Sequence, residues 1–414
     1  MPSIRPFRPL FPRFEDAGKI SCPPYDVISS AEARVYVADR PETFMRVERP
    51  ETQLEEGASP YDPRAYEAAA KLFAKMRAEG VYRQEEKACY YLYTQTVGSH
   101  RQRGLVACVP ATDYFAGRIK KHELTRKDKE EDRINHLIAT RVNTGPAFLT
   151  YRSSGEIEAL YSKIVERDPI ISFVDEGVEH VVHRIDDDAT IAEITAKIGE
   201  VPCSYIADGH HRSAAGALTA KRCAEANPNH TGNEEYAWFV AILFPHDQLN
   251  VLGYHRWVRD LNGRTPEEFL SALGSVGVVT ELTGAKEPAA CREVTFRLGQ
   301  KWYGLRFSDN LWKDAGPVDR LDVSLLQKNV LGPMLGIGDP RTDKRIDFVG
   351  GIRGLPELEK RVAEVPGSIA FAMHPVSTEE LMDIADAGEI MPPKSTWFEP
   401  KLRSGLFLHC IDED

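Results

Sequence analysis

The chain has 414 residues, 42% hydrophobic and 28% charged, which is ample for a packed core and too long for one ordinary domain. Its 52 basic side chains are outnumbered by 63 acidic ones, a net charge of −11, which excludes sequence-independent grip on duplex DNA through massed Lys and Arg. Seven scattered cysteines without a CxxC exclude a disulfide framework or zinc finger, and no apolar run reaches the ~18–20 residues of a membrane helix.

No signal-like apolar core opens the chain, so a cytoplasmic protein is expected, with neither a membrane nor a nucleic acid as partner. Residues 4–14 carry Pro6, Pro9 and Pro12 and read as extended. Pro23-Pro24 enforces extension ahead of a short helix through Ala31 and Ala33, for which Asp26 or Ser29 could be the cap. Ala68, Leu72, Phe73 and Met76 have helical spacing over 64–79, and strands are expected at 88–97 and 104–109. The stretch 119–141 is charged at every position from Arg126 to Arg133; Arg126–Glu130 and Lys127–Glu131 sit four apart, which predicts an exposed helix that docks only through Ile134, Leu137 and Ile138.

A strand at 148–151, a helix at 156–166, strands at 170–174 and 180–185 and a helix at 189–198 follow. Then come a buried strand at 203–207, an Ala-rich helix at 213–225 and an apolar strand at 237–244. Composition shifts at 245–255, so domains are expected over 1–245 and 246–414. The second holds helices at 266–273, 323–330, 356–362 and 378–387, and strands at 294–298, 304–308, 369–373, 397–400 and 406–409. Strands and helices alternate without a repeat, which predicts an α/β or α+β fold.

Asp208-Gly209-His210-His211-Arg212 is the densest polar cluster, between an apolar strand and a helix. A helix start presents unpaired N–H groups and partial positive charge, Gly209 permits a sharp turn, and Arg212 adds a fork of donors, a combination suited to phosphate. Asp208 could hold Mg²⁺ or orient a hydroxyl. The bland account is a turn with Asp208 as N-cap and exposed histidines. A zinc site is disfavoured because ligands on one helix face are spaced i, i+4 and these histidines are adjacent. Lys394-Ser395-Thr396 lacks the glycines of a phosphate loop and reads as a turn. His374 and His409 read as packed beside strands, and the segment from Asp339 to Asp347 as a solvated loop.

Four ordered segments, Cys22-Pro23-Pro24-Tyr25-Asp26-Val27-Ile28, His122-Glu123 to Arg133, Ile206 to Arg212, and Met391-Pro392-Pro393-Lys394-Ser395-Thr396, together resemble the family called domain of unknown function 1015, from Arg5 to Leu408. The Gly209–Arg212 core also resembles the phosphate-binding motif of the ParB/sulfiredoxin superfamily. His210 stands where sulfiredoxins carry their cysteine, and no helix-turn-helix or basic DNA-facing surface supports a ParB-like clamp; the free-serine-kinase branch, with its Asp-Gly-His type of sequence, fits best. The resemblance implies a ParB/sulfiredoxin-like mixed-sheet nucleotide-binding core with a second α+β domain. It also implies ATP or ADP with Mg²⁺, and a small hydroxyl substrate such as free L-serine.

On that reading Gly209, His210, His211, Arg212 and Ser213 would hold nucleotide phosphates together with Asp26, and Asp208 would hold the metal. Glu123, Asp208 and His211 would act in catalysis, with Glu123 as base on a charged lid. Asp26 is a second candidate base. Glu123 could equally pair with Lys127, and Asp26 could equally cap a helix. Arg133 and His136, one turn apart, could meet phosphate or neighbouring acids. A nucleotide-binding regulatory protein that does not turn over, or hydrolyses slowly, is the alternative, and a homo-oligomer is compatible with either.

Overall fold

The structure, a computed structural model, describes residues 3–412. It is mixed α+β, in two compact units: Met1–Leu249 with Pro400–Asp414, and Asn250–Glu399. The division falls beside the composition shift at 245–255. The tail from Pro400 belongs to the first unit, whereas a contiguous second domain over 246–414 would include it. Backbone bonds decide this: Leu10 N donates to the Leu408 carbonyl at 2.9 Å and Cys22 N to the Ser404 carbonyl at 3.0 Å.

The first unit is built on an eight-stranded sheet. Its strands are β1 (Tyr90–Val97), β2 (His100–Pro110), β3 (Ile119–Lys120), β4 (Ala147–Tyr151), β5 (Ile171–Asp175), β6 (Val178–Ile185), β7 (Ser204–Asp208) and β8 (Trp238–Pro245). The spatial order is β3-β7-β4-β8-β2-β1-β6-β5. The β7–β3 and β8–β4 pairs are parallel and the others antiparallel, so the sheet is mixed. Its middle is covered on both faces, which is why β4 and most of β7 and β8 read as continuous apolar runs rather than alternating ones.

Six longer helices accompany this sheet: α1 (Ser30–Asp39), α2 (Pro63–Ala78), α3 (Lys127–Thr140), α4 (Gly155–Ile164), α5 (Asp188–Glu200) and α6 (His210–Ala226). The helix α3 starts at Lys127, so residues 121–126 stand outside it without regular structure. Its charged start is solvated, with Arg126 on Asp128 at 2.7 Å and Glu131 on Arg222 of α6 at 2.7 Å, and Ile134 and Leu137 enter the interior. Beneath α6, Ala214, Ala217 and Ala220 join Ile206, Leu149 and Phe239 in one core. Small residues let this helix lie close to β8. A Cβ on Gly216 would stand 2.9 Å from the Cβ of Phe239.

The second unit is a six-stranded antiparallel sheet of β9 (Tyr254–Val258), β10 (Gly277–Leu282), β11 (Glu293–Leu298), β12 (Lys301–Phe307), β13 (Ile346–Gly350) and β14 (Ile369–Met373), ordered β10-β12-β11-β14-β9-β13. Helix α7 (Gly354–Glu364) packs Leu358 and Val362 onto Trp257, Trp302 and Ala370. The strands β9, β10 and β13 are additions to the sequence reading. Residues 346–347 open a strand rather than closing a solvated loop. No helix among the described residues is long and apolar enough to cross a membrane.

Replacing Gly216 by Ala should therefore overpack the α6–β8 contact and destabilise the chain by about 1–3 kcal/mol, read as a lower urea midpoint at unchanged slope.

Candidate functional site: the turn from β7 into α6

The strand β7 ends on Asp208, Gly209 takes φ 77° and ψ 38°, and α6 begins at His210. That left-handed conformation is open to glycine and strained for most other residues. The N-cap is Gly209, and no side chain caps the first turn, which also holds no acid. Asp208 is thus not the cap. Its Oδ1 accepts from Gly209 N at 2.8 Å and its Oδ2 from Lys401 Nζ at 2.7 Å. Burial by itself would raise this carboxyl. The Lys401 ammonium and the Gly209 amide outweigh burial and hold it at about 2. A cation on Asp208 would share the carboxylate with the Lys401 ammonium, whose like charge opposes it.

Arg212 is anchored rather than free. Its Nη2 donates to Glu48 Oε1 and to Ser404 Oγ, each at 3.0 Å, and Ser404 Oγ donates to Glu48 Oε1 at 3.1 Å. Glu48 is buried, and burial would raise its carboxyl, but Arg212 and then Arg133 reverse that and hold it below the usual carboxylate range. Arg133 lies over the Tyr25 ring at 4.2 Å and Arg212 lies 5.5 Å from the same ring. A small cleft lined by Asp26, Phe148, Asp208, Gly209, Arg212 and Lys401 encloses about 20 Å³, room for roughly one water.

On another side of the turn, His122 and His210 meet edge to face with ring centroids 4.4 Å apart, both buried. Neither ring nitrogen of His122, nor Nε2 of His210, has a hydrogen-bond partner among the described residues. Each such orphan costs about 1–3 kcal/mol. Burial lowers His122 to about 4 and holds His210 well below the usual histidine range, so both rings are neutral at pH 7. The half-buried Glu123 completes a group whose ligand atoms lie within 4.8 Å of one another. Residues 121–126 are tied down over the turn, where Arg126 N donates to His211 Nε2 at 3.1 Å.

A family model describing a protein of unknown function (DUF1015) matches residues 4–324, more than half of the sequence. The chain belongs to the DUF1015 family. No curated protein matches it. Among solved structures, this DUF1015 chain is similar to a free serine kinase in complex with AMP, at 13% identity and TM-score 0.35, covering 71% of this chain and 86% of that one. It is also similar to a C-terminally truncated SbnI from Staphylococcus aureus, at 13% identity and TM-score 0.38, covering 75% and 90%. A conserved hypothetical protein from Pyrococcus furiosus gives 16% identity and TM-score 0.34 over 72% and 93%. Likeness at this level fixes neither ligand nor reaction.

In this DUF1015 chain the fold brings Asp26, Glu123, Asp208, Gly209, His210, His211 and Arg212 to one turn. It does not bring the Ser213 hydroxyl, which is buried and donates to the Gly209 carbonyl at 3.2 Å, so that side chain serves the helix rather than a phosphate. The cap of α1 is Ser29, with a full capping box, which leaves Asp26 at the exposed rim of the cleft. Arg133 pairs with Asp132 at 2.8 Å and His136 Nε2 meets the Val47 carbonyl at 2.7 Å, so both are structural. Ser395 Oγ donates to the Pro392 carbonyl at 2.7 Å, closing a turn, and His409 is held between Asn143 and Glu235.

Three participants had no role in the sequence reading: Glu48, Lys401 and His122. For the first two no sequence signal exists, because their partners stand 164 and 193 residues away. His122 stands beside Glu123 in the sequence, but nothing local pairs it with His210, because the spacing rule for metal ligands applies to residues on one helix face. The structure supplies the two imidazoles from two separate segments.

Lys401→Met should lower stability by about 1.5–3 kcal/mol at neutral pH, the value of a charged hydrogen bond. Asp208 titrates near 2 in the fold against 3.8 ordinarily, so its contribution is complete above about pH 4 and lost as pH falls through 2. The gap in urea midpoint between wild type and variant should stay constant from pH 7 to 4 and close below that. An equal gap at pH 7 and pH 2.5 would show that Lys401 does not hold Asp208.

Proposed function

We propose that the Gly209 turn receives a phosphate group of ATP or ADP, and that the chain is a nucleotide-dependent phosphotransferase acting on a small hydroxyl compound, with free L-serine the first acceptor to test. The observation that carries this reading is the first turn of α6: it is uncapped and acid-free, and it opens beside Lys401 and Arg212. The resemblance of Gly209–Arg212 to the ParB/sulfiredoxin phosphate motif supports it.

In this reading the amides at the start of α6 and the Nε and Nη1 donors of Arg212 hold phosphate oxygens. Glu48 pre-orients that guanidinium, so little ordering is left to binding. The acceptor hydroxyl oxygen attacks the terminal phosphorus, the bond to the departing nucleotide oxygen breaks, and the hydroxyl proton passes to a carboxylate. In this reading Asp26 or Glu123 takes that proton. The cleft has room for about one water, so nucleotide entry requires the surroundings of the turn to open; in this reading the Arg126–His211 contact releases and residues 121–126 move as a lid.

The alternative, a nucleotide-binding regulatory protein without an acceptor, is favoured by one feature: Asp208 is neutralised by Lys401, which leaves no free acid at the end of β7. A thermal-shift series with ATP, ADP, CTP and GTP, followed by phosphorus NMR with L-serine, separates the two. A ligand at a hundred times its Kd adds about 2.7 kcal/mol of stability. Phosphoserine should form with wild type and fall by about 10²–10⁴-fold in whichever of Asp26→Asn and Glu123→Gln removes the base, with nucleotide stabilisation retained. Stabilisation without product selects the regulatory reading. No stabilisation by any nucleotide ends both.

A further inference from the structure

We infer that His122, Glu123 and His210 form a binding site for a divalent transition-metal ion, with at least one coordination position left open. The inference goes beyond the nucleotide reading and does not rest on it.

The geometry is that of a ligand set waiting for a cation. Two buried imidazoles meet edge to face, and three of their four ring nitrogens have no hydrogen-bond partner among the described residues. The Ile206 carbonyl favours a proton on His122 without completing a hydrogen bond to either nitrogen. Buried polar atoms are ordinarily satisfied, so a cluster of orphans calls for an explanation, and a bound ion is a standard one. Here the carboxylate of Glu123 stands in the same group, with all three ligand atoms within 4.8 Å of one another. Three donors sharing one ion tetrahedrally at metal–ligand distances of ~2.1 Å stand ~3.4 Å apart. Side-chain rotations that bring the donor atoms together by about an ångström would therefore close the set.

The donor chemistry selects the ion. Mg²⁺ prefers oxygen ligands and retains water, whereas two imidazoles and one carboxylate suit zinc, cobalt or ferrous iron. Three protein ligands leave a fourth position for water or substrate, the arrangement of a reactive rather than a structural site. Asp208, hydrogen-bonded to Gly209 and paired with Lys401, is the nearby acid whose charge acts on both rings. A consequence for the neighbouring cleft follows. With Glu123 engaged by a metal, Asp26 is the carboxylate left to take a proton there.

The test uses the full chain, stripped with EDTA, freed of chelator and titrated with CoCl2 in the absence of nucleotide. A single Co²⁺ per chain should bind with visible d–d absorption, be displaced by ZnSO4, and be unaffected by millimolar MgCl2. His122→Gln and His210→Gln retain bulk at buried positions, and Glu123→Gln is a milder change at a half-buried one. Each should weaken Co²⁺ binding by at least the ~10–100-fold that loss of an outer-shell partner costs, while far-UV circular dichroism stays that of wild type. Absence of a visible cobalt spectrum, or folded variants that bind as wild type does, overturns the site. Nucleotide-dependent stabilisation, read separately, would be untouched by that failure.

Discussion

The buried carboxylate of Glu48 ties together three parts of the first unit that are remote in sequence. It accepts from Arg212 in the first turn of α6 and from Ser404 in the C-terminal tail, and it sits under the field of Arg133 from α3. An isolated carboxylate in that position would be expelled or protonated; a guanidinium with fixed donors makes it tenable. The constraint runs in both directions. Because Glu48 cannot be left unpaired, Arg212 is held in one place, and because Arg212 is held, the turn before it has a defined wall. Breaking a buried pair of this kind costs about 3–5 kcal/mol, far more than an exposed ion pair contributes.

That anchoring changes what the turn can do. A mobile arginine would reach for an anion and lose side-chain entropy on binding it, whereas an anchored one meets the anion with its remaining donors already placed. The same economy of freedom appears at Asp208, whose carboxylate is fixed between a lysine and its own neighbouring amide. By contrast the two imidazoles of His122 and His210 are buried without the bonds that would satisfy them. One side of the turn is electrostatically closed and the other is chemically unfinished.

How much of this could be read in advance varies with the kind of element. The strands β4, β7 and β8 are apolar along most of their length, and each was legible as a short run. Helix α3 declared itself by its charged pairs from Arg126 onward, and it begins at Lys127. The strand β9 was not legible because His255 and Arg256 sit in its buried middle, and polar residues there mimic a loop. The strand β10 failed for the opposite reason: it is largely exposed, so no apolar pattern marks it.

The sequence by itself determined the mixed α+β class, the family, the strand-to-helix turn at Gly209 and the acids Asp26 and Glu123 as residues of interest, because all of these depend on local pattern, backbone freedom or ordered motifs. Only the tertiary structure decided what those residues touch. The pairing of Arg212 with Glu48, of Asp208 with Lys401, and the meeting of His122 with His210 join segments whose separation along the chain carries no periodic signal. Burial then sets their charge states: a carboxylate or an imidazole acquires its protonation from desolvation and from neighbours that a linear reading does not contain.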